Sequence, residues 1–393
     1  MTRPLAGLRV LDLATTIAGP YCARLLADGG AEVIKIETAE GELMRNRPPY
    51  RNGASSAFGQ LNAGKRSIVL DLKRPESVAI VKKLVEETDV LVENFRPGVM
   101  QRFGLAYDVL QAINPRLIYT AISGFGQTGP SSQLAAYAPA VHASSGFDLT
   151  HLTYQQGRTR PDNCGIYIAD ILTGTYAYGA TMTALYQRQI TGLGQMVDVS
   201  MLESMLALPL GEVQAAQFPL PPPGRPMFGP VATANGWIMP AVASERTFQN
   251  LAAAANRLDW ITDPRFEKYD ERRINWGQLI DELEQWSTKL PTSEVEAALN
   301  KAGVPCSAYR TVAEALTDPQ LEHRNALATI TDAGGTFKVL NPPWRLSAAN
   351  TSVQTFAATL GEHSQTILHE LGYASSDVET LIASGAVSGS AVK

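Results

Sequence analysis

LRVLDLATTIAGPYCARLLADGGAEVIKIE, residues 8–37, is the stretch that decides the fold. LRVLDLA is a short apolar run; Gly19 and Pro20 break it off; YCARLLADGG has the apolar spacing of a helix; AEVIKIE is a second run. Two strands joined by a helix make a βαβ unit, which requires a parallel sheet. The alternation continues outward through SIVLDL (67–72), the helix-patterned PESVAIVKKLVEETD (75–89), VLVENF (90–95) and LIYTAISGFG (117–126). Apolar strands alternating with helices of this length imply a sheet covered on both faces, so the expected class is α/β, doubly wound.

Farther along, a helix rich in small residues is expected from Ile171 to about Gln189, after Asp170, and GQMVDVSMLESM (194–205) reads as a strand passing into a helix. PLPPPGRPMFGP (219–230) carries too many prolines for any regular element, so it is a linker or a functional loop. The expected organisation is a large domain over 1–218, the proline-rich segment 219–230, a smaller mixed α+β domain over 231–325, and a return to the large domain over 326–393. The small domain is expected to be mainly helical, with GWIMPAV as its strand signal. One helix, SQTILHELG, is expected in the return.

Composition narrows the function. Hydrophobic residues make up 45% of the 393 and charged residues 18%, which describes a chain with a real core. The net charge of −5 builds no field for nucleic acid. Cys22, Cys164 and Cys306 are far apart, and the five histidines show no ligand spacing, so neither disulfides nor a metal site is expected. No stretch reaches the roughly 20 apolar residues of a membrane span, and MTRPLAGLRV has no signal-like run. A soluble, cytoplasmic protein without membrane or nucleic-acid partners is the expectation.

The first turn, DLATTIAGP, lacks G-x-G-x-x-G, so a dinucleotide is not indicated. P-loop, HExxH and GxSxG signatures are absent as well. Lys73, Arg96 and Arg102 lie near strand ends, where open α/β sheets bind ligands; their charge suits phosphates, although from charge alone such residues are more often solvated surface. Asp170 follows the apolar GIYIA and precedes Gly174, Ala177, Gly179 and Ala180, small residues that permit close backbone approach. It reads as a helix N-cap, as a nucleophile held ionised by the helix dipole, or as both. Tyr21, Tyr137 and Phe125 wall a pocket or fill core.

Taken together, PLAGLRVLDL, AGP (18–20), GAEVIKIE, NAGKRSIVLDLK, VENFRPGVMQRFGL, NPRLIY with SGFGQTGP, Asp170 with Gly174, and TGLGQMVDVSMLE resemble the family III CoA-transferases, the CaiB/BaiF group that includes formyl-CoA and carnitine CoA-transferases. NGWIMPAV, DPRF (263–266), GVPCSAYRTVAEALTDPQ and LGEHSQTIL extend the resemblance over nearly the whole chain. It implies a Rossmann-like large domain built from both chain ends, a small inserted domain, and a homodimer of interlocked subunits. It implies that Asp170 attacks an acyl-CoA to form an anhydride and then an aspartyl-CoA thioester, before CoA passes to a carboxylic acid. CoA contacts would fall on Leu70, Asp71, Leu72, Lys73, Asn94, Phe95, Arg102 and Tyr137, with Arg96 added by charge. Ile17, Tyr137 and Arg225 would face the acceptor acid. Formyl-CoA members have glutamine at the position of Ile17, arginine at Thr38 and an acidic residue at Ala138, so an acceptor other than oxalate is implied. Their glycine-rich lid is not reproduced in 219–230. The alternative on the same fold is an α-methylacyl-CoA racemase, pairing Asp170 with a histidine whose position is Tyr137 here; His142 is the nearest histidine.

Overall fold

The computed structural model describes residues 2–155, 157–219 and 228–388. They fall into two compact units, one of residues 1–214 with 322–393 and one of residues 215–321. The expected linker lies mostly outside the described residues, and Arg225 with it.

The first unit is built on β1 (Arg9–Asp12), α1 (Ala18–Asp28), β2 (Glu32–Glu37), β3 (Lys65–Leu70), α2 (Pro75–Val85), β4 (Val90–Glu93), α3 (Tyr107–Ile113) and β5 (Ile118–Ser123). Next come α4 (Ala138–Ser144), α5 (Ile168–Thr191), β6 (Gln195–Ser200) and α6 (Met201–Leu206), and from the return α7 (Ser364–Glu370), α8 (Ser375–Ala383) and β7 (Val387–Ser388). The sheet runs β7-β3-β2-β1-β4-β5-β6. Strands β1 to β6 are mutually parallel, with Val10 opposite both Val33 and Val90, and β7 adds an antiparallel edge against β3. The six parallel strands therefore stand in the order 3-2-1-4-5-6, and the winding reverses between β1 and β4. Ligands of open α/β sheets bind outside the carboxyl ends of the strands at such a reversal.

Strand alternation gives each face its own core. Val10, Val33, Val90, Val92 and Ile118 pack beneath α1 and α5, while Leu11, Ile34, Ile68, Leu70 and Leu91 face α2, α3, α7 and α8. Helices α1 and α5 pack closely because their contact is lined with small residues: a Cβ at Gly174 would lie 2.6 Å from the Ala18 carbonyl oxygen and 3.2 Å from the Tyr21 ring. Gly179, grouped with it in the sequence, faces open space instead. Gly192, at φ 77, ends α5 in the left-handed region that glycine adopts without strain.

Two boundaries differ from the sequence reading, both at the start of a helix. Gly19 and Pro20 are inside α1, whose first turn accepts a proline because the missing N–H has no intrahelical partner there. Helix α5 starts at Ile168, so Asp170 is its third residue and Tyr167 is the N-cap. Tyr167 makes no side-chain cap hydrogen bond. The return also carries α8 and β7 beyond the one expected helix.

The loop from β1 into α1 is anchored by buried charge. The Lys65 ammonium donates to Asp12 Oδ2 at 2.7 Å, to the Pro20 carbonyl at 2.8 Å and to Asn62 Oδ1 at 2.8 Å. Lys35 Nζ donates to the Ala14 carbonyl at 2.8 Å, and the Ala14 N–H donates to Asp12 Oδ1 at 2.9 Å. Burial would raise the Asp12 carboxyl, but Lys35 and Lys65 outweigh it and hold Asp12 below its usual range. Burial lowers Lys65 to about 8 even with Asp12 beside it. Such a network is stable only while every member is paired.

In the second unit, Val231–Thr233, Gly236–Pro240 and Cys306–Ala308 form an antiparallel sheet with Gly236–Pro240 in the middle. Helices Glu245–Ala254, Trp276–Ser287 and Thr292–Lys301 enclose a core centred on Trp260, Phe248, Phe266 and Leu283. Among the described residues no helix is long and apolar enough to cross a membrane.

Candidate active site

The reversal point is built by the segments that leave β1 and β4. Asn94 follows β4 and bridges both: its Oδ1 accepts the Thr15 N–H at 2.8 Å and its Nδ2 donates to the Thr15 carbonyl at 2.8 Å. Thr16, next along, has φ 69, a left-handed conformation that strains a β-branched residue. Its N–H is held by Glu42 Oε2 at 2.8 Å. The strained turn directs the chain into α1, whose Ala18 carbonyl meets Gly174, one helical turn beyond Asp170. Asp170 thus sits beside the start of α1, at the mouth of the reversal.

Asp170 is half-buried. Burial pushes its carboxyl up to about 6, so it remains ionised at neutral pH. Above that value it is a carboxylate that is poorly solvated, the state in which a nucleophile is reactive. The turn that carries it is wedged by a small apolar cluster in which Ala169 packs with Val141 of α4 and with Met201 and Met205 of α6. His142 of α4 is 1% exposed, and its Nε2 accepts the Ala169 N–H at 3.1 Å. This histidine is therefore buried against the first turn of α5.

Three of the expected CoA residues come together. Leu72, Lys73 and Arg102 line one cavity of about 520 Å³, joined by Arg74, Lys82 and Phe103. Four cations around one cavity suit the phosphates of a nucleotide. Arg74 and Lys82 were not singled out from the sequence. The signal for Lys82 was present, since Pro75, Val78, Ala79 and Lys82 form an i, i+3, i+4, i+7 stripe on α2.

The other expected residues are spread out. Leu70 is fully buried in the core and its side chain faces no opening. Asp71 accepts the Lys73 N–H at 3.1 Å through Oδ1, shaping the turn after β3. Phe95 is half-buried against the core and donates its N–H to Glu93 Oε2 at 2.8 Å. Arg96 lines a different cavity, about 210 Å³, with Glu93, Tyr107 and Tyr119. Glu93, which the sequence reading missed, is pushed up to about 8 by burial, so it is protonated at neutral pH. Ile17 is 5% exposed and packs with Met44, Phe58 and Leu61. Tyr137, the N-cap of α4, is 70% exposed. Arg225 lies outside the described residues.

The model of CoA-transferase family III matches residues 5–364. The chain is 35% identical over 383 residues to the succinyl-CoA–D-citramalate CoA-transferase of Chloroflexus aurantiacus, covering 94% of each protein. It is 36% identical over 348 residues to the acetyl-CoA:oxalate CoA-transferase of Acetobacter aceti, covering 86% of this chain and 88% of that one. A CAIB/BAIF family protein from Brucella suis superposes with a TM-score of 0.83 at 31% identity, covering 94% of this chain and 100% of the other. Likeness of this extent leaves one reading: the chain belongs to CoA-transferase family III.

Proposed function

We propose that the enzyme moves CoA from a short acyl-CoA to a carboxylic acid through covalent intermediates on Asp170. The observation that carries this is the Asp170 carboxylate itself, half-buried in the first turn of α5, uncompensated by any cation among the described residues, and titrating near 6. In the first step the carboxylate adds to the donor's thioester carbonyl and expels CoA thiolate, leaving an acyl-aspartyl anhydride. The thiolate attacks the aspartyl carbonyl, which releases the donor acid as a carboxylate and forms an aspartyl-CoA thioester. The acceptor carboxylate attacks that thioester, giving a second anhydride and the thiolate once more. Attack of the thiolate on the acceptor's acyl carbon frees Asp170 and yields the new acyl-CoA. Each intermediate keeps the activation of the original thioester, so exclusion of water is the main demand on the site.

Lys73, Arg74, Lys82 and Arg102 hold the phosphates of CoA in the 520 Å³ cavity, and Asn94 braces the turn between β1 and α1. The names of the relatives favour succinyl-CoA or acetyl-CoA as donor and a small mono- or dicarboxylate as acceptor. The working molecule is an interlocked homodimer with a Rossmann-like large domain. Tyr186 and Ile190 of α5, each 72% exposed, and Leu193 at 59% form an apolar strip that a partner subunit would cover. A racemase reading needs a histidine facing Asp170 across the substrate, and His142 is buried with its Nε2 engaged on backbone.

The test is incubation with succinyl-CoA or acetyl-CoA and a panel of acids that includes oxalate, beside Asp170→Ala, with new thioesters identified by mass. New acyl-CoA species that vanish in the variant support the proposal. If no acid is converted while a 2-methylacyl-CoA exchanges its α-proton with deuterated water, the transferase mechanism is overturned.

A further inference from the structure

His142 is a buried histidine that the steps above do not use. Its Nε2 takes the N–H of Ala169, the residue before Asp170, at 3.1 Å. Its Nδ1 is buried and, among the described residues, has no hydrogen-bond partner. A nitrogen that accepts a hydrogen bond carries no proton, so the imidazole is the Nδ1–H tautomer, and that N–H is the unsatisfied group. Leaving a buried donor unpaired is costly, and an apolar side chain of similar size would avoid the cost. The acceptor at Nε2 is what a leucine there could not supply.

The need for that acceptor follows from how α5 begins. Its N-cap, Tyr167, supplies no side-chain oxygen, while the N–H groups of Ile168 and Ile171 are taken by the carbonyls of Ile166 and Tyr167. The Ala169 N–H is left for a group outside the helix. His142 meets it from α4, which is itself locked to the same turn through the packing of Val141 on Ala169 and by the Phe147 ring 5.6 Å from the imidazole. The helix cap is thus supplied 27 residues away in sequence.

We infer that His142 is a positioning residue: its Nε2 fixes the first turn of α5 and thereby the approach of the Asp170 carboxylate to the thioester. This rests on Asp170 being the nucleophile. An attack geometry loosened by about 1 Å costs on the order of 100-fold in rate. Removing the acceptor therefore lowers kcat about 10- to 100-fold, while KM for the acyl-CoA donor, set by the cations that hold its phosphates, changes less than about twofold.

The experiment compares wild type with His142→Leu, which removes the acceptor, and His142→Gln, whose Oε1 reaches about as far as Nε2. His142→Met replaces the leucine variant if that chain does not fold. Steady-state kcat and KM are measured alongside the rate at which intact-protein mass shows covalent aspartyl-CoA after mixing with donor. The expected result is slow adduct formation and low kcat in the leucine variant, unchanged KM, and recovery to within about threefold in the glutamine variant. If the folded leucine or methionine variant forms adduct at the wild-type rate, or if the glutamine variant is as slow as it, the positioning role is overturned. Failure of the underlying reading looks different: wild type itself would form no adduct, or Asp170→Ala would still form one.

Discussion

Replacing Asp170 with asparagine should make the protein more stable while abolishing transfer, and the gain should depend on pH. An unperturbed aspartate titrates near 3.9, and burial lifts Asp170 to about 6. A factor of ten in proton affinity corresponds to about 1.4 kcal/mol, so the ionised carboxylate costs the fold about 3 kcal/mol at neutral pH, an upper figure because the group is only half-buried. The folded chain binds this proton more tightly than the unfolded chain. The stability tied to it is therefore complete below about pH 4 and is lost as pH rises through 6. Asparagine has nearly the same shape and no charge. Urea denaturation of wild type and Asp170→Asn at pH 7.5 should separate them by about 2 to 3 kcal/mol in favour of the variant, with the difference shrinking toward zero near pH 4. Equal stabilities at pH 7.5, or a difference that does not change with pH, would refute the claim that burial governs this carboxylate.

Four further outcomes are expected. Because the nucleophile must be ionised, kcat/KM for the donor should fall about tenfold per pH unit below 6 and level off above 7; a profile flat to pH 5 would contradict the assignment. Glu93 is raised to about 8, so wild type should lose stability as pH climbs toward 9, whereas Glu93→Gln should not; thermal melts at pH 7 and 9 read the difference. Lys65→Met leaves Asp12, Pro20 and Asn62 without their shared donor and should destabilise the large unit by about 3 to 5 kcal/mol, measured by denaturant midpoint. Lys82→Ala should raise KM for acyl-CoA several-fold with kcat unchanged, and the same variant should bind 3′-dephospho-CoA or pantetheine thioesters with less relative loss if its partner is a phosphate.

The sequence by itself determined the layered α/β plan. Short apolar runs such as VLVENF and AEVIKIE, alternating with helix-patterned segments, read as strands buried on both faces, and the helices between successive strands make them parallel. It also singled out Asp170, because a carboxylate between an apolar run and a row of small residues is uncommon, and the ordered motif blocks around it marked the family before any contact was known. Tertiary structure decided what depends on residues far apart in the chain. Asp170 is the third residue of α5, not its cap, and burial pushes it up to about 6, with α1 packed against Gly174 one helical turn on; the sequence left a cap, an ionised nucleophile or both as its reading. Asp12 and Lys65 pair across 53 residues, and His142 serves a helix that begins well downstream of it. Local patterning fixes which way each side chain points along its own element, a matter of period; depth of burial and the partner met there are set only when elements from distant parts of the chain pack together.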